Sequence, residues 1–421
     1  MLNADPGRPV RRARGSGGRG SAPLVRLSAL MAVLAIVAVV LGGCSSALSA
    51  GPVRPGPHVS QPEGRHELTP EDVTAWLDGK IPDALNRGDL PGAVITVVHN
   101  GRILVTRGYG HAATGADGEP QRLVDSDTLF RIASVSKLAT SISVMQLVER
   151  GELDLDTDIS TYIDVSIPRR FSGDITLRNL LTHTAGFEER GKNLVTSESG
   201  PFDLDKSVRQ DPPVQVFAPG TTPAYSNYGM SLAGYIVERV SGESFEDYVR
   251  EHVLEPAGMD SSTFDQPLPE RLAGRMANGY KTTGGRAQPF ELIDSPAGGM
   301  TTSGTDAGRF MLAMLNQSQG GALLEEGTWK QMFGPGLGAD QLGTLAEGKQ
   351  MGLGFFDESR NGHQIVGHEG GTVFQAELEI YPNDGSGVFV AVNGEGKDGA
   401  AALKDDLMRG FSDRYYPGSE P

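Results

Sequence analysis

Strand-rich regions at opposite ends of the chain, separated by a long stretch of helical periodicity, constrain the fold more than any other feature of this sequence. Residues 92–99 and 102–109 are β-rich runs around Asn100-Gly101, and Asn-Gly between two such runs is the strongest short hairpin signal. Strand patterns return at residues 375–381 and 387–393, on either side of the turn sequence Pro382-Asn383-Asp384-Gly385. Between these regions Leu138, Ile142, Met145, Leu147 and Val148 recur at helical spacing over residues 134–150, with Gly151 as the stop. Residues 177–181, 228–240 and 244–252 read as further helices. Thr69-Pro70-Glu71-Asp72 combines an N-cap hydroxyl, a first-turn proline and acidic residues, and predicts a helix to about Asn86. A last helix is predicted from about Asp398 to Phe411. The two ends therefore share one sheet, antiparallel where it starts, while the middle forms a helical lobe.

The first 43 residues read as an address. They hold Arg8, Arg11, Arg12, Arg14, Arg19 and Arg26 with the single acid Asp5, followed by an apolar run over residues 29–41. That is a basic region and a hydrophobic region too short to cross a bilayer comfortably. The run stops at Leu41-Gly42-Gly43-Cys44, which resembles the lipobox of bacterial lipoproteins, with the only cysteine of the chain where lipidation would need it. The expectation is a lipoprotein signal peptide over residues 1–43, lipidation of Cys44, and a Pro/Gly/Ser-rich tether over residues 44–66 that lacks apolar periodicity. The protein would then be exported and membrane-anchored through its lipid, on the outer face of the bacterial cytoplasmic membrane or in the periplasm. An ordinary signal peptide with an incidental Cys44, or an uncleaved anchor over residues 24–41 despite Arg26, are the alternatives. Arg11-Arg12 hints at twin-arginine export.

Charge and composition narrow the partners. Losing six arginines and one aspartate with the leader takes the formal charge from −16 to −21, which argues against nucleic acid and against resting on an anionic membrane surface. A single cysteine excludes an internal disulfide framework and a zinc site built on several thiolates. Asp154, Asp156 and Asp158 imitate a calcium loop but lack its glycine and terminal glutamate, and read as loop and cap residues. Neither G-x-S-x-G nor H-E-x-x-H occurs. No metal or cofactor is expected.

Three short motifs carry the chemistry. Ser134-Val135-Ser136-Lys137 is the only S-x-x-K of the chain, placed at the start of the predicted helix. Serine is a poor nucleophile at its own pKa, and a lysine three residues on lies on the same face, able to take its proton if burial or nearby positive charge lowers its pKa. Tyr225-Ser226-Asn227 offers a phenol to relay a proton to a leaving group and an amide to hold a substrate carbonyl or the lysine. His368-Glu369-Gly370-Gly371 precedes an alternating run, and a glycine pair there lets a substrate approach the backbone. The rival Tyr381-Pro382-Asn383 is explained by its turn. His183 reads as a buried histidine satisfied by backbone, because Lys137 and Tyr225 already fill the role of base.

In that order, Ser134/Lys137, Tyr225/Asn227 and His368/Gly370 resemble the penicillin-recognising serine hydrolases, in the family that includes class C β-lactamases. Residues 129–133, the stretch Leu180-Leu181-Thr182-His183-Thr184-Ala185-Gly186-Phe187, Pro296-Ala297-Gly298-Gly299-Met300 and residues 367–372 resemble it too. The resemblance implies an α/β fold of the α+β type: an antiparallel sheet flanked by helices, plus a mostly helical lobe, with the site between them. It places one domain at residues 67–415, with a sheet lobe at about 67–133 and 290–415 and a helical lobe at about 134–289. It also implies an acyl-enzyme, with Ser134 as nucleophile, Lys137 as proton acceptor, Tyr225 as general acid and base, and Asn227 as a substrate or lysine contact. His368, Gly370 and Gly371 would line the substrate site, the N–H groups of Ser134 and Gly371 forming an oxyanion hole. The substrate would be a small molecule or a peptidoglycan-derived amide or ester.

Three departures bear on specificity. A histidine stands where the β-lactamases of the family have the lysine of Lys-Thr-Gly, and His-x-Gly is similar to D-Ala-D-Ala carboxypeptidase and esterase members. Tyr-Ser-Asn also resembles the carboxypeptidase side. Glu369 points the other way, since a carboxylate beside the site should repel a substrate's terminal carboxylate by about 1 kcal/mol. Carboxypeptidase-like and esterase activities both stay open, ahead of β-lactamase activity and of a non-catalytic peptidoglycan-binding role.

Overall fold

Asn100 and Gly101 have φ of 49° and 75°, the left-handed pair required by a two-residue hairpin whose twist matches its strands. They fold β1 (Gly92–His99) back onto β2 (Arg102–Ala113). In the computed structural model the described residues are 65–116, 118–190, 194–196, 201–289, 291–316, 322–335, 350–396 and 398–418. The leader, Cys44 and the tether through residue 64 lie outside them.

The hairpin joins a larger sheet. A short β3 (Arg122–Leu123) pairs with β2, and five strands come from the C-terminal part: β4 (Gln350–Met351), β5 (Phe356–Arg360), β6 (His363–Gly371), β7 (Gln375–Tyr381) and β8 (Ser386–Val392). The order is β3-β2-β1-β8-β7-β6-β5-β4, antiparallel throughout. The β1–β8 register, from Ala93 opposite Val392 to His99 opposite Ser386, makes the two ends of the chain neighbours.

Both central strands are buried on both faces. Ala93, Ile95, Val97, Val388, Val390 and Val392 face one core, with α1 (Pro70–Gly88) and the C-terminal helix over residues 399–415. Val94, Val98, Phe389 and Ala391 face a second, larger core that extends into the helical lobe. This double burial explains why the strands read as unbroken apolar runs. In the larger core α2 (Lys137–Glu149) packs against α3 (Asn227–Ser241), while α4 (Gly304–Leu315) covers β1, β2 and β8.

Several predicted boundaries move. Ser134 lies in a 3-10 turn, Ala133–Ser136, so the α-helix expected from Ser134 starts at Lys137. The helix expected over residues 244–252 is α-helical only over Phe245–Val249 and continues as a π turn, Arg250–Leu254. The last helix, α5 (Gly399–Tyr415), runs past Phe411 because Tyr415 is buried against α1, its ring centroid 6.0 Å from that of Trp76. Asp154 and Asp158 accept backbone N–H groups of their loop, and Asp156 and Asp158 pair with Arg178 and Arg169, as cap residues do. No described helix is long and apolar enough to cross a membrane.

Asp72 clamps the outer helices. It accepts hydrogen bonds from Arg414 (2.7 and 2.9 Å) and the Tyr415 hydroxyl (2.8 Å), while the His66 backbone N–H donates to Arg414 O at 3.1 Å. Hydrogen bonding to Arg414 holds its carboxyl at about 2, below the ordinary 3.8. A depressed carboxyl contributes stability above its unfolded pKa and loses it as the pH falls toward the folded one. Asp72→Asn should therefore lower Tm at pH 7 by about 2–4 °C, with the deficit shrinking from pH 4 toward pH 2; thermal denaturation showing equal deficits at pH 7 and pH 3 would contradict the clamp.

Candidate active site

The site starts from a strained turn. Ala133 has φ of 46°, a region uncommon for any residue with a Cβ. Its carbonyl accepts from Ser136 Oγ at 2.5 Å, and the same hydroxyl accepts the Met300 N–H at 3.0 Å. Ser136 is buried and its hydroxyl is spent on backbone. Ser134, half-buried, presents Oγ 2.9 Å from Lys137 Nζ. Of the two serines in Ser-Val-Ser-Lys, only Ser134 has a proton acceptor in reach and an open side.

Lys137 is wholly buried. Its Nζ lies 2.7 Å from Asn227 Oδ1 and 2.6 Å from the Ala297 carbonyl oxygen. Burial pushes the ammonium down to about 7, against the opposing pull of Asp294 and Glu189. A neutral amine has two hydrogens and one lone pair. The two carbonyl oxygens can only accept, so they take the hydrogens and leave the lone pair facing the Ser134 hydroxyl. That is the geometry of a general base poised near neutral pH.

Tyr225 stands over this pair. Lys137 Nζ is 5.0 Å from its ring centroid, burial pushes its phenol up, and a hydrogen bond with Ser134 offsets part of that rise. The segment is held from both sides by His183: the Ala224 N–H donates to the His183 carbonyl at 2.7 Å, and the Ser226 N–H to His183 Nδ1 at 3.2 Å. The His183 ring packs 4.5 Å from the Tyr225 ring, and burial, reinforced by Lys137, drives its pKa well down. His183 is thus a neutral positioning residue, in keeping with the expectation of a buried histidine bonded to backbone.

The third motif lies on β6. His368 is buried between Phe356 and Tyr225, with ring centroids 4.8 and 6.2 Å away. At Gly370 a Cβ would sit 2.2 Å from the Ile132 carbonyl oxygen and 2.8 Å from the Ser134 nitrogen. Only glycine lets the strand lie this close to the strained turn. Gly371, next along, is exposed.

Glu369 departs from expectation. Alternation along β6 turns it, like Ile365, to the α1/α5 face, opposite to His368 and Gly370. There its carboxylate lies 3.3 Å from the Lys404 ammonium of α5, which also lies 3.9 Å from Glu377, the residue opposite Glu369 on β7. Lys404 relieves a like-charge cross-strand pair, and Glu369 is not placed to repel a substrate carboxylate by contact.

Sequence reasoning missed three contributors. Ala297 supplies a backbone carbonyl, which side-chain motifs cannot reveal. Asp294, fully buried and hydrogen-bonded by Ser207 Oγ at 2.8 Å, is pushed up to about 6 by burial and acts on Lys137 through space. Glu189 accepts the Asn227 backbone N–H at 2.9 Å and Asn227 Nδ2 at 2.6 Å; its only sequence signal is its place just after the Leu180–Phe187 stretch. Among the described residues Glu243, Glu251 and His252 bring metal-ligand atoms together, and these atoms already have protein partners: Glu243 bonds His252 and Glu251 bonds Arg250.

A serine beside a buried lysine, with a tyrosine above them and a glycine strand alongside, on an antiparallel sheet facing a helical lobe, is the arrangement of a serine hydrolase of β-lactamase fold. The chain belongs to the β-lactamase family, whose model, described as Beta-lactamase, matches residues 77–411. It is 35% identical over 222 residues to esterase EstB of Burkholderia gladioli, covering 49% of this chain and 55% of the esterase; the chain thus spans about half the length of this curated relative. Among solved structures, the octameric penicillin-binding protein homologue from Pyrococcus abyssi aligns with a TM-score of 0.68 and 24% identity over 80% of this chain and 77% of the other. A beta-lactamase/D-alanine carboxypeptidase from Pseudomonas syringae aligns with a TM-score of 0.63 and 19% identity, over 80% and 99%. At such identities these likenesses establish the fold.

Gly370→Ala should force β6 away from the turn at residues 132–134. The expected result is a loss of kcat/KM on any hydrolysed substrate of about 100-fold, with Tm lowered by a few degrees because buried backbone must shift; steady-state kinetics within twofold of wild type would show that the close approach is dispensable.

Proposed function

We propose that the protein hydrolyses esters through an acyl-enzyme on Ser134. The observation that carries this reading is the three-way coordination of Lys137 Nζ, which directs its lone pair to Ser134 Oγ at 2.9 Å. Lys137 takes the serine proton as Oγ attacks the substrate carbonyl. The backbone N–H groups of Ser134 and Gly371 hold the developing oxyanion. Tyr225, kept protonated by burial, relays a proton to the leaving alkoxide, which departs as the acyl-serine forms. Water then attacks that ester along the reverse proton path, releasing the acid and restoring Ser134. Asn227 contacts the substrate, and His368 packs against Tyr225.

Esters are favoured over β-lactams because β6 carries a buried imidazole, His368, rather than a permanent cation for a carboxylate, and because esterase EstB shares 35% identity over 222 residues. A second reading, removal of a C-terminal D-alanine, is supported by the orientation of Glu369 toward Lys404, which removes the contact repulsion anticipated for a substrate carboxylate. For the cell, we propose export and anchoring through lipidated Cys44, with small-molecule or peptidoglycan-derived substrates.

Assay of the purified protein against p-nitrophenyl esters of graded acyl length, nitrocefin and a diacylated Lys-D-Ala-D-Ala peptide should give the highest kcat/KM on an ester, and Ser134→Ala should reduce it at least 1000-fold. Hydrolysis retained by Ser134→Ala would refute the mechanism, and a preference for the peptide would establish the second reading. Separately, Cys44→Ala should move the protein from the membrane to the soluble fraction; persistence in membranes would favour an uncleaved anchor.

A further inference from the structure

Asn227 is gripped from two directions. Its Oδ1 lies 2.7 Å from Lys137 Nζ, while its Nδ2 and its backbone N–H donate to the two oxygens of Glu189 at 2.6 and 2.9 Å. Both carboxylate oxygens are thus engaged by one residue, at the first position of the fifteen-residue α3, where negative charge also meets the positive end of the helix dipole. We propose that Glu189 is a positioning residue for acyl transfer, locking the Asn227 amide in the one orientation that leaves the Lys137 amine free to accept the Ser134 proton. This role rests on the acyl-enzyme reading above.

A carboxamide can be turned over at little steric cost. Its oxygen and nitrogen are nearly isosteric, so a half-turn about the last side-chain bond presents Nδ2 to Lys137. Opposite an ammonium that orientation sets donor against donor, and the charged lysine itself forbids it. Opposite a neutral amine it becomes favourable, because the amide N–H can donate to the amine lone pair. That lone pair is the one required by the Ser134 proton. The lysine therefore stops enforcing the productive orientation in the very protonation state that carries out the reaction.

Glu189 supplies the missing constraint. Its carboxylate only accepts, so turning the amide over would set Oδ1 against an anionic oxygen and lose the 2.6 Å bond. Neither oxygen can be replaced by an amide nitrogen, since both partners on Asn227 are donors. The carboxylate also acts on the lysine through space. Lys137 feels Asp294 through space and lies 5.0 Å from the centroid of the Tyr225 ring, which packs against neutral His183 and against His368 of β6. Of the groups that pull its pKa upward, Asp294 is buried and Glu189 is exposed.

Glu189→Gln in the full-length protein tests this, because it preserves shape while removing the charge and one of the two acceptors. The expected result is a fall in kcat of about tenfold with KM changed less than threefold. The acid limb of the pH profile, which titration of the Lys137 amine should set, should move to lower pH by about half a unit relative to the wild type. The second readout needs no turnover: an NMR titration of the Lys137 ε-carbon in protein carrying 13C-lysine, assigned by its loss in Lys137→Arg, should shift in the same direction by the same amount. Wild-type protein inactive on every ester, lactam and peptide would overturn the acyl-enzyme reading itself. With an active wild type, an unchanged kcat in Glu189→Gln overturns the positioning role. So does a lowered kcat with an unmoved lysine titration, which would reduce Glu189 to a structural brace.

Discussion

A buried ammonium is tolerated only where its hydrogens find acceptors, and Lys137 meets that condition with two carbonyl oxygens and a serine hydroxyl. Each partner comes from a different part of the chain. Ser134 belongs to the strained turn ahead of α2, Asn227 to the start of α3, and Ala297 to the short helix Ser295–Gly298 that leads to the strand Thr301–Ser303. If any of these segments shifts, the lysine loses an acceptor while remaining buried, so the amine is only as well placed as the packing between the helical lobe and the sheet. Burial lowers the affinity of the amine for its third proton, and the acceptor geometry decides where the remaining lone pair points.

The rest of the fold serves that constraint. The β1–β8 pairing closes the sheet across the ends of the chain, and β6 runs through it to lay Gly370 against the turn at Ile132 and Ser134. Within the helical lobe, His183 holds both neighbours of Tyr225 and thereby sets the phenol over the serine and lysine. Functional groups from distant positions in sequence are thus fixed by backbone hydrogen bonds, which keeps the site organised before any substrate arrives.

Much of this was legible beforehand. The Asn100-Gly101 hairpin, the continuous apolar strands and the 3.6-residue periodicity after Lys137 are local signals, and the antiparallel sheet with its helical lobe follows from them. Ser134, Lys137, Tyr225 and Asn227 could be named because their side chains form short motifs, and the structure brings them together. What stayed hidden has a physical reason in each case. The Ala297 carbonyl belongs to the backbone and has no residue type. Glu189 acts through an amide that only tertiary structure brings to it. Ser134 could not be distinguished from a helical residue because the left-handed φ of Ala133 accompanies tertiary hydrogen bonds, from Ser136 to Ala133 and from Met300 to Ser136, that local sequence does not announce. The misreading of Glu369 arose from treating a motif as a point, whereas neighbouring residues on a strand face opposite ways. The partner of Glu369, Lys404, lies 35 residues further on, in α5.

The most direct measurement is the covalent one. The purified protein is mixed with a rapidly hydrolysed p-nitrophenyl ester, quenched in acid during turnover, and the acyl mass is located by peptide mass spectrometry. A single acyl adduct on Ser134, forming and decaying at rates consistent with kcat, is the result this account predicts. Turnover without an adduct, or an adduct on another residue, would contradict it.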